Sequence, residues 1–195
     1  TADRPLLLIG VVEEVADATG ATIASRFGYA YVDADGNVTQ AGPAPYLDCV
    51  AAPDDSVFDQ INELGWLNTA EERVSSWIIA NQLPEFLAEV LPRRDVEIRR
   101  TREQVTARLQ YESNRLWAES AEAQAAEQTG SKVRESSKSL AEKAANLERR
   151  LHDRVGQLDK QELLSTRPPR IVTSAVVIPL VTETTDQKKQ PPTHA

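Results

Sequence analysis

Apolar residues recur at two different periods along this chain, and the change of period divides it. Residues 6–12, LLLIGVV, are continuously apolar and turn polar at Glu13 and Glu14, which predicts a strand. After the turn signal ADATGA comes ATIASRFGYAYVDA, which alternates. Ile23, Ser25, Phe27, Tyr29 and Tyr31 share one side; Ala24, Arg26, Gly28 and Ala30 share the other. DADGN then predicts a tight turn at Asp35-Gly36, and GPAPYLDCVAAP an extended, proline-punctuated segment.

The period next becomes helical. In DDSVFDQINEL, Val57, Ile61 and Leu64 stand four and three apart behind an Asp/Ser cap signal. Thr69 is placed to cap a second helix, with Glu72 completing a capping box. Trp77, Ile78, Leu83, Phe86, Leu87, Val90 and Leu91 supply its apolar side, and Pro84 is expected to kink or split it. From Arg93 to Gln128 there is no Pro and no Gly. Ile98, Val105, Leu109, Leu116 and Ala123 mark a narrow seam with polar slots at Arg102, Glu112 and Ser120. QTGSK interrupts it. A second seam, Leu140, Ala144, Leu147, Leu151, Val155 and Leu158, runs from near Val133 to about Leu164. Two such seams joined by a short turn predict an antiparallel helical hairpin, an arm roughly 50 Å long at 1.5 Å per residue. RPPR stops the helix, IVTSAVVIPLV predicts a β-branched strand of the buried kind, and TETTDQKKQPPTHA reads as a tail or linker.

The predicted fold class is therefore α+β: a small antiparallel sheet with packed helices, a long inserted helical hairpin, and a final strand returning to the sheet. Residues 1–181 form one domain in this reading, β-rich over 1–50, helical over 55–92, the hairpin arm over 93–164 and the returning strand over 170–181. Residues 182–195 are a disordered tail or linker. The chain begins at Thr1 and holds no Met, which suggests a segment of a longer protein.

Charge adds an asymmetry. Residues 1–92 hold 3 Lys+Arg and 15 Asp+Glu, a net of −12; residues 93–195 hold 19 and 15, a net of +4, which together give −8. The first part repels nucleic acid and the second attracts it mildly. Apolar runs are too short to span a bilayer, and the single Cys49 excludes an internal disulfide, so a cytoplasmic setting without membrane contact is expected. Cys49 itself reads as a small buried residue.

Catalytic chemistry is hard to place. There is no G-x-x-x-x-G-K-[ST] loop, so the chain alone has no means to hydrolyse ATP. DADGN has its glycine fourth instead of sixth and lacks a twelfth-position Glu, so it is a turn and not a calcium loop. His152 has no second histidine nearby and reads as a surface residue. No catalytic residue, metal site or cofactor of this chain is predicted. The arginines admit two readings. Arg93, Arg94, Arg99, Arg100, Arg102 and Arg108 are the candidates for phosphate contact; Arg115, Trp117, Arg134 and Lys138 are candidates for a partner-facing surface on the arm. Yet Glu97 with Arg100, Arg99 with Glu103, and Arg108 with Glu112 also have the spacing of helix-supporting ion pairs. Seven arginines against four acids over 93–115 favour a solvated structural helix over a dedicated DNA-reading one.

The order of parts resembles a known family. GPAPYLD, a helix pair, the R-x-x-V-E-I-x-R-T-R-x-x-V-x-x-R-L start of a hairpin, L-x-R-R-L in its second helix, and PP-x-I-V-x-x-A-V-V-I-P follow one another from about Leu6 to Pro179. This resembles the C-terminal accessory region of bacterial Swi/Snf-type superfamily-two ATPases. That group includes RNA-polymerase-associated recycling ATPases of the HepA type and phage-defence helicases of the DISARM type. The resemblance rests on Arg99-Thr101-Arg102, Val105, Arg108-Leu109, Trp117, Leu147 to Leu151 and Val176 to Pro179. It departs at Asn114 to Glu119, where relatives often carry a further aromatic and base. It implies a non-catalytic domain downstream of a DNA-translocating motor that carries ATP and Mg. The implied partners are that motor in cis, duplex DNA, and a protein at the arm. The rival expectation is a coiled-coil adaptor that binds protein without nucleic acid.

Overall fold

The structure, a computed structural model, describes residues 3–52, 61 and 64–179. The predicted helix DDSVFDQINEL, apart from Ile61 and Leu64, and the predicted tail lie outside the described residues. Strand β1 spans Leu6–Asp17, β2 Thr22–Asp33 and β3 Val38–Ala41. A 3-10 turn at Pro45–Asp48 precedes helix α1, Leu67–Gln128; α2 is Ser137–Glu162, β4 Leu164–Thr166 and β5 Arg170–Val177. The five strands form one sheet in the order β3-β2-β1-β4, with β5 also paired to β1. The fold is α+β with a long helical hairpin entering the chain between strands of that sheet.

The chain divides into two compact units, residues 1–11, 28–74 and 171–195, and residues 12–27 and 75–170. In the first, Leu7, Leu8, Ile9 and Val11 of β1, Ala30 and Val32 of β2, Ala41 of β3, and Ala70 and Val74 of α1 are buried. The DADGN stretch is the expected turn. Asp33 accepts from the Asn37 amide at 2.9 Å and from its Nδ2 at 3.0 Å, and Gly36 takes φ +82°. The backbone demands glycine there; the end of the Arg73 side chain, which a Cβ would meet, is flexible enough to move aside.

In the second unit the buried set is Val15, Ala16, Ile78, Leu83, Phe86, Ile98, Ala123, Leu140, Ala144 and Leu158. β1 does not end where its sequence turns polar, because Glu13 is matched. Its carboxylate, on a residue only 1% exposed, accepts from Arg26 Nη2 at 2.9 Å and Nε at 3.2 Å. Arg26 also donates to the Gln82 carbonyl at 3.1 Å and stands 4.5 Å from the Phe86 ring centroid. One guanidinium thus joins β2 to β1 and to α1, with its charge, its donors and its face all engaged.

Several expectations are corrected. Pro84 does not split the helix: it and Pro92 both lie inside α1. Each removes one donor, to the carbonyls of Ala80 and Ala88, and all four residues are exposed on one side of the helix, where water satisfies those carbonyls. The Thr69 capping box does not form: the helix begins two residues earlier, and Thr69 Oγ1 donates back to the Trp66 carbonyl at 3.2 Å. α2 begins at Ser137, not near Val133, because Ser136 Oγ accepts the Ser139 amide as N-cap. Cys49 is exposed, since the 3-10 turn at Pro45–Asp48 ends at it instead of continuing an extended segment inward. The final strand is not the buried kind: Val172 is 43% exposed and Val172 to Ala175 are all exposed. β3 and β4, four and three residues long, carry too little pattern to announce themselves.

Replacing Arg26 by Met keeps the stem and removes the cation from buried Glu13. The expected cost is about 2–4 kcal/mol in urea unfolding, with Glu13→Gln on the same background recovering much of it. Equal and additive losses in the two single variants would contradict this coupling.

Candidate functional site at the root of the arm

The arginine run belongs to the part of α1 that pairs with α2, so each side chain must first be placed against that partner. As residue number rises from 94 to 120 on α1, the contacted residue falls from 161 to 137 on α2, the signature of an antiparallel pair. Ile98 and Ala123 on one helix and Leu140, Ala144 and Leu158 on the other are the fully buried seam members. Val105, Leu109, Leu116, Leu147, Leu151 and Val155 are partly buried. Of the expected polar slots, Arg102 and Ser120 face α2, but Ser113, 2% exposed, occupies the seam where Glu112 was anticipated. A straight helix drifts relative to a strict heptad, which moves the inward position by one residue over that distance.

Two arginines of the run are committed to their own chain. Arg94, with its side chain 11% exposed, donates from Nε to the Gln161 carbonyl at 3.1 Å and from Nη1 to Glu97 at 3.0 Å, and places Nη2 3.6 Å from Asp17. It therefore links α1, the last turn of α2 and the end of β1. Arg102 donates across the hairpin to Asp159 at 2.9 Å and Glu162 at 2.5 Å. Those two carboxylates raise its pKa above the ordinary arginine value, Glu162 most strongly. Backbone bonds complete the root: the Ala18 amide to the Lys160 carbonyl at 3.1 Å, and the Arg167 amide to the Glu14 carbonyl at 2.9 Å. The Arg167 side chain closes the β1–β2 turn by donating to Glu14, Thr22 and Gly20.

The others differ. Arg108 is exposed and pairs with Glu112 at 3.1 Å, the one ion pair of the three expected from spacing. Glu97 pairs backward with Arg94 instead of forward with Arg100. Arg93, Arg99 and Arg100 are exposed and have no ion-pair or hydrogen-bond partner among the described residues. On the arm, Arg115 pairs with Glu119 at 3.3 Å, and Trp117, 42% exposed, donates Nε1 to Glu148 at 2.7 Å. Ser113 Oγ donates to the same Glu148 oxygen at 3.1 Å, so Trp117 is a register-fixing residue as well as a surface one. Arg134 and Lys138 are exposed beside the turn, where Glu127 accepts the amide and hydroxyl of Ser137 at 2.9 and 2.7 Å.

A cavity of about 460 Å³ lies open along the hairpin between Arg108 and Glu112 on α1 and Arg150, Asp153 and Arg154 on α2. Its charges are of both signs, which suits a polar protein surface or solvent better than a polyanion. Among the described residues no group of three or more His, Cys, Asp or Glu is placed to hold a metal ion, and no helix is long and apolar enough to cross a membrane. Comparison with known protein families, curated proteins and solved structures finds no match to this chain.

Sequence reasoning missed Asp17, the acceptor at the centre of the root. Its Oδ1 accepts from Thr19 Oγ1 at 2.5 Å, Thr19 N at 2.9 Å and Ala21 N at 3.1 Å. The Thr19 hydroxyl above all, then the two amides and Arg94, hold its carboxyl below the usual aspartate value. The only signal was the Asp-x-Thr-Gly order of the turn, which fits an Asx-type acceptor. A depressed folded-state pKa adds stability that is complete above the unfolded value of about 3.9 and is lost as pH falls through the folded value. Urea midpoints are therefore expected to drop on acidification below about pH 4. Asp17→Asn should be less stable at pH 7 and show a shallower acid decline. Parallel acid declines in the two proteins would contradict the assignment.

Proposed function

We propose that this chain is a non-catalytic accessory module of a Swi/Snf-type DNA-dependent ATPase, with the helical hairpin acting as a braced arm beside the motor. The observation that carries the reading is the division of labour within the arginine run. Arg94 and Arg102 are consumed in fixing the root of the hairpin. Arg93, Arg99 and Arg100 remain exposed on the same helix within two turns. A fixed root lets an arm transmit force or hold a partner at a set position, and free guanidinium groups next to that root suit the phosphates of a passing duplex. Such contacts neutralise backbone charge and read no bases. In this reading the motor supplies the ATP site and magnesium, and the module serves DNA translocation or remodelling, phage defence being one setting for such an enzyme.

The test is duplex binding by the complete protein across a salt series, followed by fluorescence anisotropy. Changing Arg93, Arg99 and Arg100 together to Ala should reduce the slope of log K against log salt by about 2–3, close to 0.9 per lost phosphate contact. An unchanged slope removes DNA from the proposal. A gene that encodes no phosphate-loop motor ahead of these residues removes the ATPase as well.

One observation favours the adaptor reading. Tyr111, 70% exposed, and Val96, 54% exposed, lie on the outer surface of the arm, where a protein partner would cover them. That reading predicts no duplex binding at any salt concentration.

A further inference from the structure

A strand at the edge of a sheet presents unpaired amides and carbonyls, and natural sheets blunt such edges with Lys, Pro, a bulge or a very short strand. β5 carries little of this protection. It is eight residues long, its one charge is the exposed Arg170 at its first position, and it holds no Lys, Asp, Glu or Pro. One edge pairs with β1; among the described residues no strand pairs with the other. Four consecutive residues, Val172 to Ala175, are exposed, and successive side chains point to opposite faces. Among the described residues no strand pairs with the outer edge of this strand of high β propensity, and both of its faces are exposed at its centre.

The sequence of the strand indicates what occupies that edge. Ile-Val-Thr-Ser-Ala-Val-Val is similar in character in both directions about Ser174, with β-branched residues toward both ends and small ones at the centre. Laid antiparallel on a second copy, Ile171 faces Val177, Val172 faces Val176, Thr173 faces Ala175, and Ser174 faces its own equivalent. β-branched Ile171 and Val172 meet Val177 and Val176, Thr173 meets the small Ala175, and no charge meets a like charge, which makes the cross-strand pairing favourable. A strand that received a foreign segment would need no such symmetry. We propose that two copies of this chain pair antiparallel along the outer edge of β5, joining their sheets across a two-fold axis. Each copy carries −8, so long-range repulsion opposes the pairing and salt relieves it. The dimer tightens with added salt, the opposite sign to a phosphate contact. The inference is independent of any role for the arm.

Sedimentation equilibrium of the 195-residue chain tests it against a monomer mass of 21.5 kDa. The expected result is twice that mass at micromolar concentrations, with a smaller dissociation constant at higher salt. Ser174→Lys brings two cations together on the axis and should raise the dissociation constant by roughly fivefold or more, with unchanged circular dichroism because Ser174 is exposed. Mixing Ser174→Lys with Ser174→Glu should restore the dimer, which only two folded and correctly facing strands can do. A monomer at all concentrations overturns the proposal. So does a dimer indifferent to Ser174→Lys, or a mixture no tighter than either variant alone.

Discussion

The guanidinium of Arg94 is the interaction on which the second unit depends. It is nearly buried; it donates to the Gln161 carbonyl of α2 and to Glu97 of α1, and its charge stands 3.6 Å from the Asp17 carboxylate of β1. A buried cation is tolerated only when its charge and hydrogen bonds are met, so the end of β1, the last turn of α2 and the first turn of the arm must all arrive at it. That requirement explains why Asp17 is held ionised by its own turn. An aspartate already oriented by Thr19 and Ala21 presents its second oxygen to Arg94 with less freedom to lose. Arg102, two turns along, also pairs with two carboxylates, Asp159 and Glu162 of α2, though its Nε is buried without a partner among the described residues.

Beyond the root the hairpin is held differently. Its seam is thin, with Ser113, Ser120, Ala123 and Ala144 among the buried members, so the helices gain little from burial there. Polar contacts set the register instead: Ser113 and Trp117 share one oxygen of Glu148, and Glu127 closes the turn on Ser137. An arm built this way is specified by hydrogen bonds of fixed geometry more than by the depth of its core. Its outer surface is left free to carry either charge or aromatic contacts.

Much of the architecture was legible in the sequence, and the reasons are specific. The change from alternation to a 3.5-residue seam marked the hairpin, and the glycine of QTGSK marked its turn, where Gly130 takes φ +76°. What pattern could not show was where a polar residue finds a partner far away in the chain. Glu13 looked like the end of a strand because Arg26 was thirteen residues distant. Pro84 looked like a break because its exposure to water was not visible. The apolar run at the end of the chain predicted burial, whereas Val172 to Ala175 are exposed, which depends on what packs against the strand and not on composition. For the candidate site the arginines were found but not sorted. Local spacing named three ion pairs and one formed, between Arg108 and Glu112; Glu97 pairs with Arg94 instead of Arg100, and Arg99 and Glu103 do not pair.

The central claim is that the run beginning at Arg93 is first a structural root and only then a surface. Hydrogen exchange of the complete chain, read by mass spectrometry in Arg94→Met and Arg93→Met, tests it directly. Arg94→Met should speed exchange at residues 12–22 and 155–167 by about tenfold or more, the worth of a charge-assisted buried hydrogen bond. Arg93→Met, one residue away and exposed, should leave those segments as they are. Exchange at the root unaltered by Arg94→Met, or altered equally by both substitutions, would contradict it.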